Sequence, residues 1–193
     1  MSLSSQIKEY CKVKYSSIKV VLDQVEISVE KDNLLKLIQF LKDDPSCLFD
    51  QLSDITAVDY PNKKNRFLII HQLLSITINQ RVRVLCSINA NDVIPSISKL
   101  YFSALWAERE LWDMFGVYVD GHPDLRRLLT DYGFQGHPLR KDFPLTGFDE
   151  VSYETESRRV VYNKVKLTQD YRDFDFNSPW GVVDKIKDKK SND

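Results

Sequence analysis

Apolar positions set the elements of this chain before any motif is considered. From Val20 to Glu30 they alternate through Val25, Ile27 and Val29, the period-two signature of a strand. Asp32 then reads as a helix N-cap, and Leu34, Leu37, Ile38 and Leu41 follow at helical spacing until Pro45 closes the helix. Leu48 to Asp59, with Leu52, Ile55 and Val58, is a second strand candidate, and Tyr60-Pro61-Asn62 reads as a turn. Phe67 to Ile78 and Arg81 to Ile88 are rich in β-branched residues, with Asn79-Gln80 between them, so this pair predicts an antiparallel hairpin. Asn91 to Pro95 leads into a helix that ends at Phe115, with Gly116 as its C-cap. The order β-α-β-β-β-α predicts an α+β fold, an antiparallel sheet with helices on one face.

All six glycines lie at Gly116 or beyond. After Asp120 the periodicity fades, and Gly121, Pro123, Gly133, Gly136, Pro138, Pro144 and Gly147 punctuate the chain. Only Leu125 to Thr130 reads as a short helix. Long irregular segments in compact proteins are usually functional or disordered, and this one carries too many aromatics for plain disorder. The expected organisation is a globular α+β domain over residues 1–115, an extended partner-binding arm over 116–183, and a disordered Lys/Asp-rich tail over 184–193.

The helix before this segment has two unusual faces. Counted at 100° per residue, Ile97, Leu100, Tyr101, Ala104, Leu111 and Phe115 form one stripe, with Glu108 in its middle. A carboxylate among core residues is paired or has a shifted pKa. Glu108 is therefore an acid, a ligand or an anchor for a downstream arginine, or it belongs to a structural ion pair with Arg126 or Arg127. The other side carries Phe102, Trp106, Arg109, Glu110 and Asp113. Aromatics beside arginine are the composition of interface hot spots. The same face would also suit the chain's own tail folding back.

Composition narrows the function. The chain has 193 residues, 42% hydrophobic and 28% charged, with a formal net charge of -1. That balance suits a soluble globular protein with no global steering toward nucleic acid or anionic membrane. Cys11, Cys47 and Cys86 stand far apart, with no CxxC and no nearby histidine, against the clustered spacing of an iron–sulfur or zinc site. No apolar run approaches the roughly 20 residues of a membrane span. The lysine- and serine-containing start lacks the apolar stretch of a secretory signal, and a mature chain made where it works is expected.

Three candidate chemistries remain. Glu110, Asp113 and His122 could be metal ligands, but their spacing matches no HExxH or Glu-x-x-His pattern. The His122-Pro123 and His137-Pro138 steps each hold a positioned ring, with no nucleophile nearby in sequence, and a histidine bonded to turn backbone fits equally. Arg126-Arg127 and Arg140-Lys141-Asp142, with Tyr132, Phe134 and Phe143, imitate a basic and aromatic RNA surface. Asp120, Asp124, Asp131 and Asp142 interleave with those bases, oppose phosphate binding, and suit Arg–carboxylate pairs to a protein.

The run ERELWDMFGVYVDGHPDLRRLLTDYGFQGHPLRKDFP, residues 108–144, resembles the signature of the 30 kDa subunit of respiratory complex I, the family of NADH dehydrogenase subunit 9 and its bacterial C-type counterpart. DITAVDYP, RFLIIHQLLSI and FDFNSPW extend the resemblance over most of the chain. It implies an accessory, non-catalytic subunit in the quinone module of the hydrophilic arm of NADH:ubiquinone oxidoreductase. The 49 kDa subunit and other quinone-module subunits are the implied partners, with no nucleic acid and no membrane span of its own. The implied place is the matrix side of the mitochondrial inner membrane, or the cytoplasmic face of a bacterial one. No cofactor is expected in this chain, because FMN, iron–sulfur clusters, NADH and ubiquinone are implied on other subunits. No catalytic or metal residue is expected either. Carried over by matching position, the partner interface is Glu108, Arg109, Glu110, Asp113, Gly116, His122, Pro123, Arg126, Arg127, Gly136, Pro138, Arg140, Lys141, Asp142, Phe143 and Pro144, joined by Trp106 and Phe115 from the helix. Departures stand at Phe102 and Leu105, where the family tends to Pro and Gly, at Ala57, and at Asn163-Lys164, where it tends to Glu-Pro. The alternative reading is an independent RNA-binding α+β module using the basic and aromatic segment.

Overall fold

The computed structural model describes residues 7, 11, 13–22 and 24–172; the expected tail at 184–193 lies outside them. Two compact units form, Met1–Gly147 and Phe148–Asp193. The expected border at residues 115 and 116 is not where the chain divides, because residues 116–147 stay with the first unit.

In the first unit, β1 (Ser17–Val21), β2 (Gln24–Val29), β3 (Gln51–Asp59), β4 (Phe67–Ser75) and β5 (Gln80–Ile88) form one sheet in the order β1-β2-β5-β4-β3. The continuous strand expected from Val20 to Glu30 is instead a hairpin. Leu22 reverses the chain at φ 48, a left-handed conformation that a leucine does not advertise in sequence. The sheet is also mixed rather than wholly antiparallel. β2 and β5 run parallel, with Val25 opposite Val82 and Val29 opposite Cys86, and a helix, β3 and β4 come between them in sequence. β3, β4 and β5 pair antiparallel as expected.

The strand periodicity decides which face is buried. Phe67, Ile69, His71, Leu73 and Ser75 of β4 point inward, as do Val82, Val84, Cys86 and Ile88 of β5. Helix α1 (Lys31–Asp43) lays Leu34, Leu37, Ile38 and Leu41 on that core. Each such side chain contributes about 1.5–3 kcal/mol relative to exposure. Glu30, not Asp32, is the N-cap, and it makes no side-chain cap bond; Asp32 sits in the first turn, where the helix dipole favours an acid.

His71 is the exception in the core. Its Nδ1 has no hydrogen-bond partner, and burial pushes its pKa down to about 4, against the opposing effect of a backbone bond to Val84.

Helix α2 runs only over Ala104–Phe115. Short β6 (Val93–Pro95) and β7 (Tyr118–Asp120) pair in parallel and flank it. The helix expected from Pro95 onward therefore starts late, so Ile97, Leu100 and Tyr101 reach the core from turns. Gly116 is the C-cap as expected, at φ 73, its N–H donating to the Trp112 carbonyl at 2.8 Å.

The second unit contains β8 (Asp149–Glu154) and β9 (Arg159–Lys164), an antiparallel hairpin with Arg158 at φ 55 in its turn. Val151 lies opposite Tyr162, and Tyr153 opposite Val160. These four side chains share one face by strand alternation. Glu150, Ser152, Glu154, Arg159, Val161 and Asn163 lie on the other, while Lys164 and Asp149, paired at 2.6 Å, end the Val–Tyr face.

Candidate functional site

Asp113, in the last turn of α2, is fully buried and organises the segment that follows. Its Oδ2 accepts the backbone N–H groups of Leu128, Leu129 and Thr130 at 3.0, 2.8 and 3.0 Å. Its Oδ1 accepts the Thr130 hydroxyl at 2.6 Å and Arg127 Nη1 at 2.9 Å. Burial alone would raise this carboxyl's pKa. The bonds from Thr130, Arg127 and the backbone outweigh it and hold the group well below the usual carboxylate range. The same bonds explain why residues 125–130 are not the expected helix. Three consecutive N–H groups aimed at one oxygen cannot also follow an i→i−4 ladder.

Arg127 ties the loop to itself and to α2. Beyond Asp113 it donates to the carbonyls of Phe134 and Gly136, both at 2.9 Å, and its guanidinium lies 5.3 Å from the Trp112 ring centroid. Arg109 donates to the carbonyls of Arg126 and Arg127 at 3.2 and 2.9 Å and stacks on Trp106 at 5.3 Å. Arg126 is on the outside, paired with Asp124 at 2.8 Å.

Glu108 meets neither Arg126 nor Arg127. It accepts the Ile97 N–H and the Ser96 hydroxyl, both at 2.7 Å, so it pins the loop ahead of α2 against the helix. Burial pushes its pKa up, and those two bonds oppose the rise. His122 Nε2 stands 3.9 Å from Glu108 and 3.1 Å from the Leu105 carbonyl, while its Nδ1 accepts the Asp124 N–H at 3.1 Å. This is a turn-bonded histidine.

The carbonyls that end α2 are answered by downstream residues. His137 Nδ1 lies 2.9 Å from the Asp113 carbonyl, the Leu139 N–H donates to Met114 at 3.1 Å, and Arg140 Nε donates to Phe115 at 2.5 Å. Burial pushes His137 below its ordinary pKa. Glycine is favoured at 116 by its φ of 73, and a Cβ there would also fall 2.3 Å from Arg140 Nη2 and 2.5 Å from His137 Nε2, so both side chains would have to shift. Pro138 lies between these anchors. At Gly136 a Cβ would come within 2.8 Å of the Phe143 ring, which stacks beside Phe134 at 5.8 Å and precedes Pro144.

A second carboxylate that sequence reasoning did not single out anchors the far end. Asp59, buried at the end of β3, accepts Arg66 Nε and Nη2 at 2.7 and 2.8 Å and the Lys141 N–H at 2.8 Å. The Arg66 bonds, then the Lys141 N–H, hold its pKa low against burial. Arg66 also reaches Asp142 at 2.9 Å. The signal available was an acid at an inward position of an alternating strand. The β8–β9 hairpin was likewise legible, as Val151/Tyr153 and Val160/Tyr162 around a polar turn.

The interface candidates differ in exposure. Glu108, Arg109, Asp113, Phe115, Arg127 and Arg140 bond or pack within the chain. Trp106, Glu110, Pro123, Arg126, Lys141 and Asp142 are exposed, Trp106 by 62% and its neighbour Phe102 by 85%. Glu110 and Asp113 do not share a site with His122. Among the described residues, no three His, Cys, Asp or Glu side chains are grouped so as to hold a metal ion. No helix among them is long and apolar enough to cross a membrane. Arg127, the centre of the imagined RNA surface, is already engaged by four oxygens of this chain.

A mixed five-stranded sheet, with a second helix locked to a long, internally bonded loop, defines a small α+β domain. Residues 27–149 match the family model described as respiratory-chain NADH dehydrogenase, 30 Kd subunit, and the chain belongs to that family. It is 53% identical over 157 residues to the C-type subunit of NADH-quinone oxidoreductase from Paramagnetospirillum magneticum, covering 81% of this chain and 79% of that one. It is 48% identical over 171 residues to NADH-ubiquinone oxidoreductase subunit 9 of Reclinomonas americana, covering 86% and 84%. A chain in the structure of the membrane-bound sulfane sulfur reductase, an archaeal respiratory membrane complex, superposes with a TM-score of 0.62 at 25% identity, over 73% of this chain and 83% of that one.

Proposed function

We propose that this chain is a non-catalytic subunit in the quinone module of the hydrophilic arm of proton-pumping NADH:quinone oxidoreductase. It is peripheral on the matrix face of the mitochondrial inner membrane or the equivalent bacterial face. The 49 kDa subunit is its main partner, and the segment after Phe115 makes the contact. FMN, the iron–sulfur clusters, NADH and quinone are held by other subunits. Electron transfer depends on this chain through assembly.

The observation that carries this reading is the β8–β9 hairpin. Two strands cannot bury an apolar face by themselves, and such a hairpin is marginal in water. Yet this one presents Val151, Tyr153, Val160 and Tyr162 together, all exposed. Aromatic and β-branched side chains in that arrangement suit a protein surface laid over them. Family membership supplies the identity of the complex.

The test is a native gel of detergent-solubilised source membranes, stained for NADH oxidation, with mass spectrometry of the active band. The chain is expected in that band at one copy per complex. Tyr153→Ser with Tyr162→Ser should deplete it there at least fivefold while the melting of the first unit stays unchanged. Migration of the native chain alone at low mass in the soluble fraction would overturn the proposal.

A further inference from the structure

The end of β3 and the turn after it form a groove with no assigned occupant. It is lined by Val58, Asp59, Tyr60, Pro61, Lys63 and Lys141, is open to solvent, and has a volume of about 490 Å³. That is within the usual size of a binding cleft. Both walls are held in place. The turn closes through the Tyr60 N–H to the Arg66 carbonyl at 2.8 Å and the Lys63 N–H to the Tyr60 carbonyl at 3.0 Å. Lys141 is fixed as the opposite wall by its N–H on Asp59. The wall surface is mainly apolar, and Lys63 Nζ lies 3.9 Å from the Tyr60 ring centroid.

The two segments that supply this groove are unbalanced in charge. Residues 58–66 and 137–142 contain five cations, Lys63, Lys64, Arg66, Arg140 and Lys141, against two acids, Asp59 and Asp142. The whole chain is slightly acidic, at -1. Both acids are already bonded to Arg66. Arg140 meets the carbonyls of Phe115 and Gly116 rather than a carboxylate; burial and then the nearby Arg66 lower its pKa, opposed by Asp142 and Asp59. The excess of cations over acids in these two segments favours an added anion.

We infer that this groove docks an acidic peptide segment of a neighbouring subunit, with a carboxylate set between Lys63 and Lys141 and an apolar side chain against Tyr60 and Pro61. A lone small anion would leave the apolar walls wet, whereas a peptide covers the walls and answers the charge. The inference rests on the reading of this chain as a subunit of a larger assembly.

The experiment uses the purified complex. A carbodiimide joins an amine to a carboxylate only when the two are in contact, and peptide mapping locates the bond. An isopeptide from Lys63 or Lys141 to an Asp or Glu of another subunit is the expected result. It should be lost in the double variant Lys63→Arg with Lys141→Arg, which keeps both charges but no primary amine, and suppressed at least fivefold by 1 M NaCl. Free acylation of both lysines in the intact complex, with no such bond, would overturn the inference. So would protection of both lysines without coupling, which points instead to an apolar partner or a lipid. If the chain is absent from the complex altogether, the proposed function fails as well, and that result is read separately from the gel.

Discussion

Replacing Asp113 by Asn tests whether one carboxylate organises the loop after α2. The shapes are nearly the same, so packing is preserved and chemistry alone changes. The remaining oxygen can face the N–H groups of Leu128, Leu129 and Thr130, at the cost of charge assistance in each bond. The amide NH₂ then faces Arg127, donor against donor, and the guanidinium loses the carboxylate it pairs with at 2.9 Å. Breaking a buried ion pair from one side costs about 3–5 kcal/mol, and the neutralised bonds act in the same direction. Urea unfolding of the purified chain, followed by circular dichroism, should show a loss of about 3–5 kcal/mol near pH 7. For a protein of this size that corresponds to a drop in Tm of roughly 10 °C. The pH dependence gives a second check. Because the folded carboxyl lies below its ordinary value of 3.8, its stabilisation is complete above that pH and is lost as pH falls further. The difference between native and variant should therefore shrink below pH 3.8. A loss under about 1 kcal/mol at pH 7 would refute the reasoning and move the burden to Arg127 and its carbonyl partners.

Gly116→Ala should cost about 2 kcal/mol or more, from a left-handed backbone and a Cβ driven into Arg140 and His137; proteolysis of the 137–140 segment should accelerate in parallel. His71→Met removes a buried imidazole with an orphan Nδ1. Since the folded His71 pKa is about 4 against an ordinary 6.5, the native chain should lose stability as pH falls from 6.5 toward 4. The variant should show a flatter profile over that interval, measured as Tm against pH.

The apolar patterns, with residue type beside them, carried most of the fold because burial is set by side-chain period. Period found α1, β-branched content around Asn79-Gln80 found β4 and β5, a run with Leu52, Ile55 and Val58 found β3, and cap preference found the glycine at the end of α2. These signals missed the Leu22 reversal, where the cost of a left-handed leucine is met by pairing β1 along β2, and they missed the parallel β2–β5 neighbours, which are a property of topology. The late start of α2 escaped them for a different reason. Ile97 and Tyr101 are buried as the stripe required, but Glu108 draws the Ile97 N–H to itself and holds that stretch out of the helix. Within the candidate site, residue types were legible and partners were not. Arg127 and Asp113 stood out as charges, yet their pairing spans fourteen residues of irregular chain and has no period to betray it.

The β8–β9 hairpin also bears on the life of an unassembled subunit. Local opening costs least where backbone hydrogen bonds are solvent-exposed and few apolar contacts close over them. A cleavage site at its turn, near Arg158, would then be open in the orphan chain and shielded once another protein covers the Val–Tyr face. Limited proteolysis near Arg158 would in that way distinguish free copies of the chain from covered ones.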